Sequence, residues 1–392
     1  MKSEIKTGSS LWLFTFSLTG VGSAFLGSFL LYIAGLWHLH DHQSGILVAC
    51  FFIGSFTGTM LLSRRLRLNL NVGSLLGCLG FLLFAQASRS PVGFNEGAYA
   101  LVLMGFGLGQ LMSSVNLLVG TAAGPQRSKY LARLSAAWCA GAILSPILTS
   151  ISIVTLSPPA RLFLFGFLFL VPLIVTQGRS LSSPPLDQPE VSHTASATAN
   201  SAFSLAALCI AIFLVYGGIE ASIASWIPTF AVRYSVTPLF AAQWQVSLFW
   251  FGLMLGRTYL ARIIMPSIEA TILRAAIMTS ACCLGLYVSV PSSATLWLGG
   301  ILIGACLSPI FPLMLSAAIA TGLSVRALGV ALAACGLGAA LFNSVLGYIS
   351  SMYSLRTAML LPLAGLAILL LLCWRLPALR LPASLRNVAA SG

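Results

Sequence analysis

The stretch that decides the fold is VYGGIEASIASWIPTFA, Val215 to Ala231, set beside LTGVGSAFLGSFLLYIA, Leu18 to Ala34. Both are apolar runs broken by small residues, and they lie 197 positions apart. Nearly the same spacing recurs elsewhere. FFIGSFTG from Phe51 matches FWFGLMLG from Phe249 at 198, Gly141 pairs with Gly338 at 197, and Gly109 with Gly304 at 195. One such match in an apolar chain is noise. Four in order argue for a duplicated unit.

The medium follows from composition. Of 392 residues, 58% are hydrophobic and only 7% charged, with a mean hydropathy of +0.98. A soluble domain carries about 25% charged residues, so this chain could not cover its surface in water. The charge balance is 20 Lys plus Arg against 7 Asp plus Glu. The basic residues fall singly or in twos and threes between apolar runs, which points to membrane topology and away from nucleic acid.

A helix needs about 20 apolar residues to cross the hydrocarbon core. Twelve runs qualify: 11–36, 44–62, 72–88, 98–122, 132–156, 161–178, 204–228, 241–262, 271–289, 295–320, 328–350 and 356–374. The alternating strands of an outer-membrane barrel are absent, so the expected fold is all-α, an integral membrane protein of twelve spans. A cytoplasmic N-terminus puts 16 of the 20 basic residues inside, leaving only Arg89, Arg161, Arg233 and Arg356 outside. That bias predicts a multi-pass protein of the cell (inner) membrane with both termini cytoplasmic. The first apolar run is too long for a signal peptide and is read as span 1. The nine cysteines all fall within spans and are expected to pack as small residues.

The connection from Arg179 to Phe203 is rich in Ser, Thr, Pro and Ala, a linker composition. It predicts an N-terminal six-helix bundle over 1–178, a cytoplasmic linker over 179–203 and a C-terminal six-helix bundle over 204–392.

Span 7 reads Tyr216-Gly-Gly218-Ile-Glu220 followed by Trp226. Span 8 ends in Gly252-Leu-Met-Leu-Gly256-Arg257, span 4 carries Asn116, and span 10 has SPIFP from Ser308. With the two-halves pattern, these motifs resemble the fucose–proton symporter branch of the major facilitator superfamily. The resemblance implies two pseudo-symmetric bundles with a substrate site near the midplane between them and alternating access by rocking. It also implies a sugar-like or other polar organic solute, usually carried with protons. Gly27 and Met112 stand where that branch has acids in helices 1 and 4. The superfamily's signature between helices 2 and 3 is altered too: after Gly58 comes LLSRRLR from Leu61, with Leu62 in place of the Asp.

Glu220 is the only acid inside a predicted span. A charged carboxyl at the bilayer centre costs about 2.5–3.5 kcal/mol on insertion scales, and intramembrane acids mark ion pathways. Glu220 is therefore the proton-coupling candidate, the other reading being a hydrogen-bonded structural Glu. Gly217, Gly218 and Pro228 give span 7 the composition of a bending gate, or of a closely packed helix. The substrate-binding candidates are Gln110, Ser113 and Asn116 on span 4, Tyr216 and Trp226 on span 7, Gln245 and Trp250 on span 8, and Asn343 on span 11. Buried amides need partners, and the tryptophans offer stacking faces. Gln245, Phe249, Gly252 and Gly256 share a helical face that can place Gln245 at the cavity. Trp12, Trp37 and Trp374 are expected as interfacial anchors, and Pro309 and Pro312 as the cause of a kink in span 10.

His38, His40, Asp41 and His42 crowd the first outside connection. They could hold Zn or Cu if a helix continued through them, but a polar loop is the reading preferred. No cofactor or resident metal is implied. P-loop and dinucleotide fingerprints are missing, and the spans carry no enzyme-like catalytic set. The function expected is secondary transport of a small polar solute, with protons as the coupling ion and a monomer in the bilayer. Proton-driven efflux of lipophilic compounds is the alternative.

Overall fold

The computed structural model describes residues 2–62, 65–122, 127–155, 157–177, 199–235, 237–260, 268–321 and 323–376. Fifteen helices run through them: α1 (Lys2–Leu36), α2 (Asp41–Met60), α3 (Leu66–Ala87), α4 (Phe94–Ala122), α5 (Arg127–Thr155), α6 (Pro158–Leu168), α7 (Leu170–Gln177), α8 (Ala199–Tyr234), α9 (Leu239–Leu260), α10 (Glu269–Ser289), α11 (Ser293–Leu307), α12 (Ile310–Ile319), α13 (Val325–Met352), α14 (Leu355–Ala358) and α15 (Leu360–Arg375). The linker expected at 179–203 lies outside the described residues up to 198, and its last five residues already belong to α8.

Fifteen helices make twelve spans because three spans are broken. Proline cannot donate to the carbonyl four residues back, and its ring crowds that carbonyl. Pro172, Pro312 and Pro362 point back to Leu168, Ser308 and Ala358, and the breaks fall at or beside those residues. In span 10 the Ser308 hydroxyl donates to the Ala305 carbonyl at 2.7 Å, replacing the donor that Pro309 lacks. The kink expected there is present. Among the described residues, nine helical stretches are long and apolar enough to cross a bilayer by length and composition. The remaining spans, α5, α9 and α6–α7, are the repeat equivalents of α13, α2 and α14–α15.

The duplication is realised in packing. A Cβ at Gly54 on α2 would strike the Val102 carbonyl of α4, and one at Gly252 on α9 the Ile301 carbonyl of α11. Likewise Gly141 on α5 meets the Ser17 carbonyl of α1, and Gly338 on α13 meets the Leu214 carbonyl of α8. The glycines matched in sequence thus make matching helix crossings, as small residues do in membranes.

Two buried cores result. One holds residues from Leu11 to Phe169, centred on Phe25, Phe29, Phe81 and Phe84. The other holds residues from Cys209 to Leu376 and also takes in Ala24, Cys139 and Ala142. Those three mark where the first bundle faces the second. Across that seam α2 packs on α13, α5 on α9 and α1 on α8. The outward faces show apolar rows such as Leu75, Leu79 and Leu83 on α3, four residues apart and suited to lipid.

One expectation changes here, and the His cluster keeps the loop reading preferred for it. Trp12 and Trp37 are buried. Trp37 donates to the Ser90 carbonyl at 2.8 Å and stands edge-on to Phe84, so it plugs the bundle end; Trp374 is half exposed, as an anchor would be. The His cluster does not form one helical face, because α1 ends at Leu36 and α2 begins at Asp41, with His38 between them at φ 51°. Among the described residues no three His, Cys, Asp or Glu side chains converge as metal ligands.

Candidate transport site

α8 is helical through Tyr216 and Glu220, which lie one turn apart on one face, and the tyrosine hydroxyl donates to Glu220 Oε2. From α9, Arg257 brings Nη2 to 3.6 Å from the same oxygen. The guanidinium lies 5.9 Å from the ring centre of Phe311, on α12 just past the proline break. Its Nη1 is 3.8 Å from Cys139 Sγ of α5, in the other bundle. Phe311 also packs on Tyr216 and Phe213, both at 5.8 Å between ring centres. Two turns back along α9, Trp250 stands edge-to-face with Trp138 of α5 at 5.0 Å.

Opposite charges at 3.6 Å attract by about 4–5 kcal/mol at an effective dielectric of ~20. That is comparable to the insertion cost of about 2.5–3.5 kcal/mol for one charge. Neither group is sealed: the side chains keep 22% (Arg257) and 17% (Glu220) of their exposure. The pair thus stands partly accessible beside the seam between the two bundles, where Arg257 also touches Cys139.

The other candidates divide. Trp226 and Asn343 are buried together: the indole donates to Asn343 Oδ1 at 3.0 Å, and the amide donates to the Ala339 carbonyl at 2.8 Å. They bind α8 to α13, away from Glu220. Gln245 is fully buried and accepts from Tyr287 of α10 at 3.3 Å. The helical face expected to bring Gln245 to the cavity instead packs on α11, because Gly252 and Gly256 let that helix close in. Trp250, on the other side of α9, is the residue at the seam. Gln110 donates to the carbonyls of Gly58 and Leu61 at 2.9 and 3.2 Å, capping the end of α2. Ser113 bonds Thr59 at 3.2 Å, and Asn116 is exposed.

Span 7 shows why its small residues are there. Gly217 lies against the Cys335 backbone and Gly218 against the Phe342 ring, both on α13. These are close-packing sites, and α8 is continuous through Pro228. At Gly27, an added Cβ would lie 2.9 Å from the Ala224 carbonyl, the one that Pro228 leaves without its helical donor. The acid that the fucose–proton symporter branch has there could not fit.

Arg257 reads in the sequence as a topology signal, yet it lies inside α9 with Glu220 as its partner. Its position within the apolar run 241–262 was the available signal. Phe311, Trp138 and Cys139 carried none, since aromatic and small residues are ordinary in spans.

Solved transporters share this architecture. The E. coli fucose:proton symporter FucP is 16% identical, with 94% of this chain and 98% of that one covered at a TM-score of 0.62. A D-xylose-proton symporter is 13% identical over 96% and 99% at 0.75, and the nucleoside transporter NupG is 14% identical over 94% and 98% at 0.71. Among proteins of curated function, none matches the chain by sequence. The family model described as Major Facilitator Superfamily matches residues 11–321. The chain belongs to the major facilitator superfamily and is a multi-pass membrane transporter.

Proposed function

We propose that this chain is a secondary active transporter that moves a small polar organic solute by alternating access, coupled to protons through Glu220. The observation that carries this reading is the Glu220–Arg257 pair at the seam between the bundles. Proton uptake by Glu220 frees Arg257, so the charge in the site depends on the proton. The fucose and xylose symporters among its structural neighbours are proton-coupled by name, which supports a sugar-like solute. The basic-residue bias supports cytoplasmic termini in the inner membrane.

Proteoliposomes test the coupling. Glu220→Gln is expected to retain solute exchange while losing accumulation driven by an acid-outside gradient. Gradient-driven accumulation at the wild-type level by that variant would overturn the proposal.

A second reading, efflux of lipophilic compounds, is favoured by the aromatic surroundings of the pair: Phe213, Tyr216, Phe311, Trp138 and Trp250. Cells expressing the chain would then resist lipophilic cations in a growth screen, and Glu220→Gln would abolish that resistance.

A further inference from the structure

We infer that the solute carries one carboxylate, and that Arg257 binds it when Glu220 is protonated. The inference rests on the proton-coupled reading above and adds the chemical class of its substrate.

Among the described residues, donors outnumber acceptors among the buried unpartnered groups of α5 and α9, where Gln243 Oε1, near the far end of α9, is the side-chain carbonyl left over. Arg257 Nε, Trp138 Nε1 and Trp250 Nε1 are buried N–H donors with no hydrogen-bond partner among the described residues. The edge-to-face contact of the two indoles can point at most one N–H at the other ring. At least one indole donor and the guanidinium Nε therefore remain. The Ser145 hydroxyl, two turns from Trp138 on α5, is also unpartnered and can donate as well. Buried donors left unmade cost about 1–3 kcal/mol each, and a neutral sugar hydroxyl that accepts one also brings a donor needing its own acceptor. A carboxylate brings acceptors only.

Charge gives the same answer. Among the described residues, the charged and titratable groups around Glu220 are Tyr216 on its own helix, Arg257 on α9, Cys139 on α5 and Cys335 on α13. With Glu220 protonated, Arg257 is the one fixed charge left among them, and its fork-shaped guanidinium matches a carboxylate in two-point geometry. One positive charge calls for a monoanion. Arg257 lies seven residues beyond Trp250, and helical side chains lean toward the N-terminus. Seven residues are about 10 Å of helix rise. A solute of sugar-acid length can thus reach from Arg257 with its carboxylate toward the tryptophans with its remaining polar atoms, while a shorter one engages Arg257 alone.

A proton and a monoanion moving together carry no net charge. Purified full-length protein in proteoliposomes is offered gluconate and glucose, then lactate and 1,2-propanediol, under a pH gradient alone or a valinomycin–potassium potential alone. The expected result is accumulation of at least one carboxylate above protein-free vesicles, driven by pH and indifferent to potential, with its neutral counterpart excluded. Accumulation of a neutral solute driven by both gradients would overturn the carboxylate while sparing proton coupling. Carboxylate exchange with no response to pH would overturn the coupling reading while sparing Arg257. The Glu220→Gln/Arg257→Gln double variant leaves no unpaired buried charge and so guards against misfolding. It is expected to lose the thermal stabilisation that the accumulated carboxylate gives the wild type. Stabilisation at the wild-type level in that variant, or no carboxylate effect in either assay, as when water satisfies the donors, overturns the inference.

Discussion

Glu220 and Arg257 differ in what each can do once its partner is gone. A carboxyl left alone takes a proton and becomes neutral, whereas a guanidinium stays charged at any pH a protein survives. Removing one partner of a buried pair costs 3–5 kcal/mol in general, but these side chains are about one-fifth exposed, which lowers the figure. Glu220→Gln should cost about 2–3 kcal/mol and Arg257→Gln about 1 kcal/mol, with the double variant recovering most of the loss. Melting of the detergent-solubilised protein reads this directly, and equal losses in the two single variants would contradict it. At this scale the sequence was half legible. Glu220 stood out as the lone acid in a span, but its partner lies 37 residues away in the next helix, where a single arginine near a span end reads as a topology signal. Trp226 and Asn343 are 117 residues apart, and nothing in a residue's identity says that its hydrogen bond is already spent.

Among the elements, glycine packing sorts the chain into positions that must stay bare and positions that need not. A Cβ at Gly338 would collide with the Leu214 backbone, whereas Gly285 on α10 and Gly329 on α13 have open space around theirs. In a helix interior glycine is worse than alanine by about 0.5–1 kcal/mol. Gly285→Ala and Gly329→Ala are therefore expected to raise stability by about that amount, while Gly338→Ala and its repeat equivalent Gly141→Ala lower it by at least as much. Fluorescence-detected size exclusion after a heat step would separate the two pairs, and a shared direction of change would refute the packing account. The spans were legible because apolar length is a direct requirement of the bilayer. Their breaks were legible in principle as well: Pro172 and Pro362 act on α6 and α14 as Pro312 acts on span 10. The face of α9 was not legible, since both Gln245 and Trp250 suit a cavity. The glycines at 252 and 256 decide it by admitting α11.

For the whole molecule, the two bundles are tied at the end away from the chain termini. Arg233 on α8 grips Asp41 at the start of α2 with two hydrogen bonds of 2.5 and 2.6 Å, and Ser350 of α13 donates to the same carboxylate. Nearby, Gln243 of α9 donates to the Ser28 carbonyl of α1 at 3.1 Å, and the His42 backbone donates to Ser351 at 2.8 Å. Rocking the bundles apart at that end must break these bonds. The Arg233 side chain is 42% exposed and Asp41 11%, so the ion pair is worth about 1 kcal/mol rather than several. One kcal/mol shifts a two-state equilibrium about fivefold. Asp41→Asn should thus favour opening of that end by about fivefold, and the charge swap Asp41→Arg with Arg233→Asp should restore closure. Spin labels on the α2 and α8 ends in a cysteine-substituted background would report the change as a longer distance population in Asp41→Asn. The same tie predicts salt sensitivity, because the exposed Arg233 charge is screened within about 8–10 Å at physiological ionic strength. Raising salt should then open the labelled end of the wild type and leave Asp41→Asn unmoved. A distance distribution unchanged by both the substitution and salt would mean that the apolar seam alone holds the bundles closed.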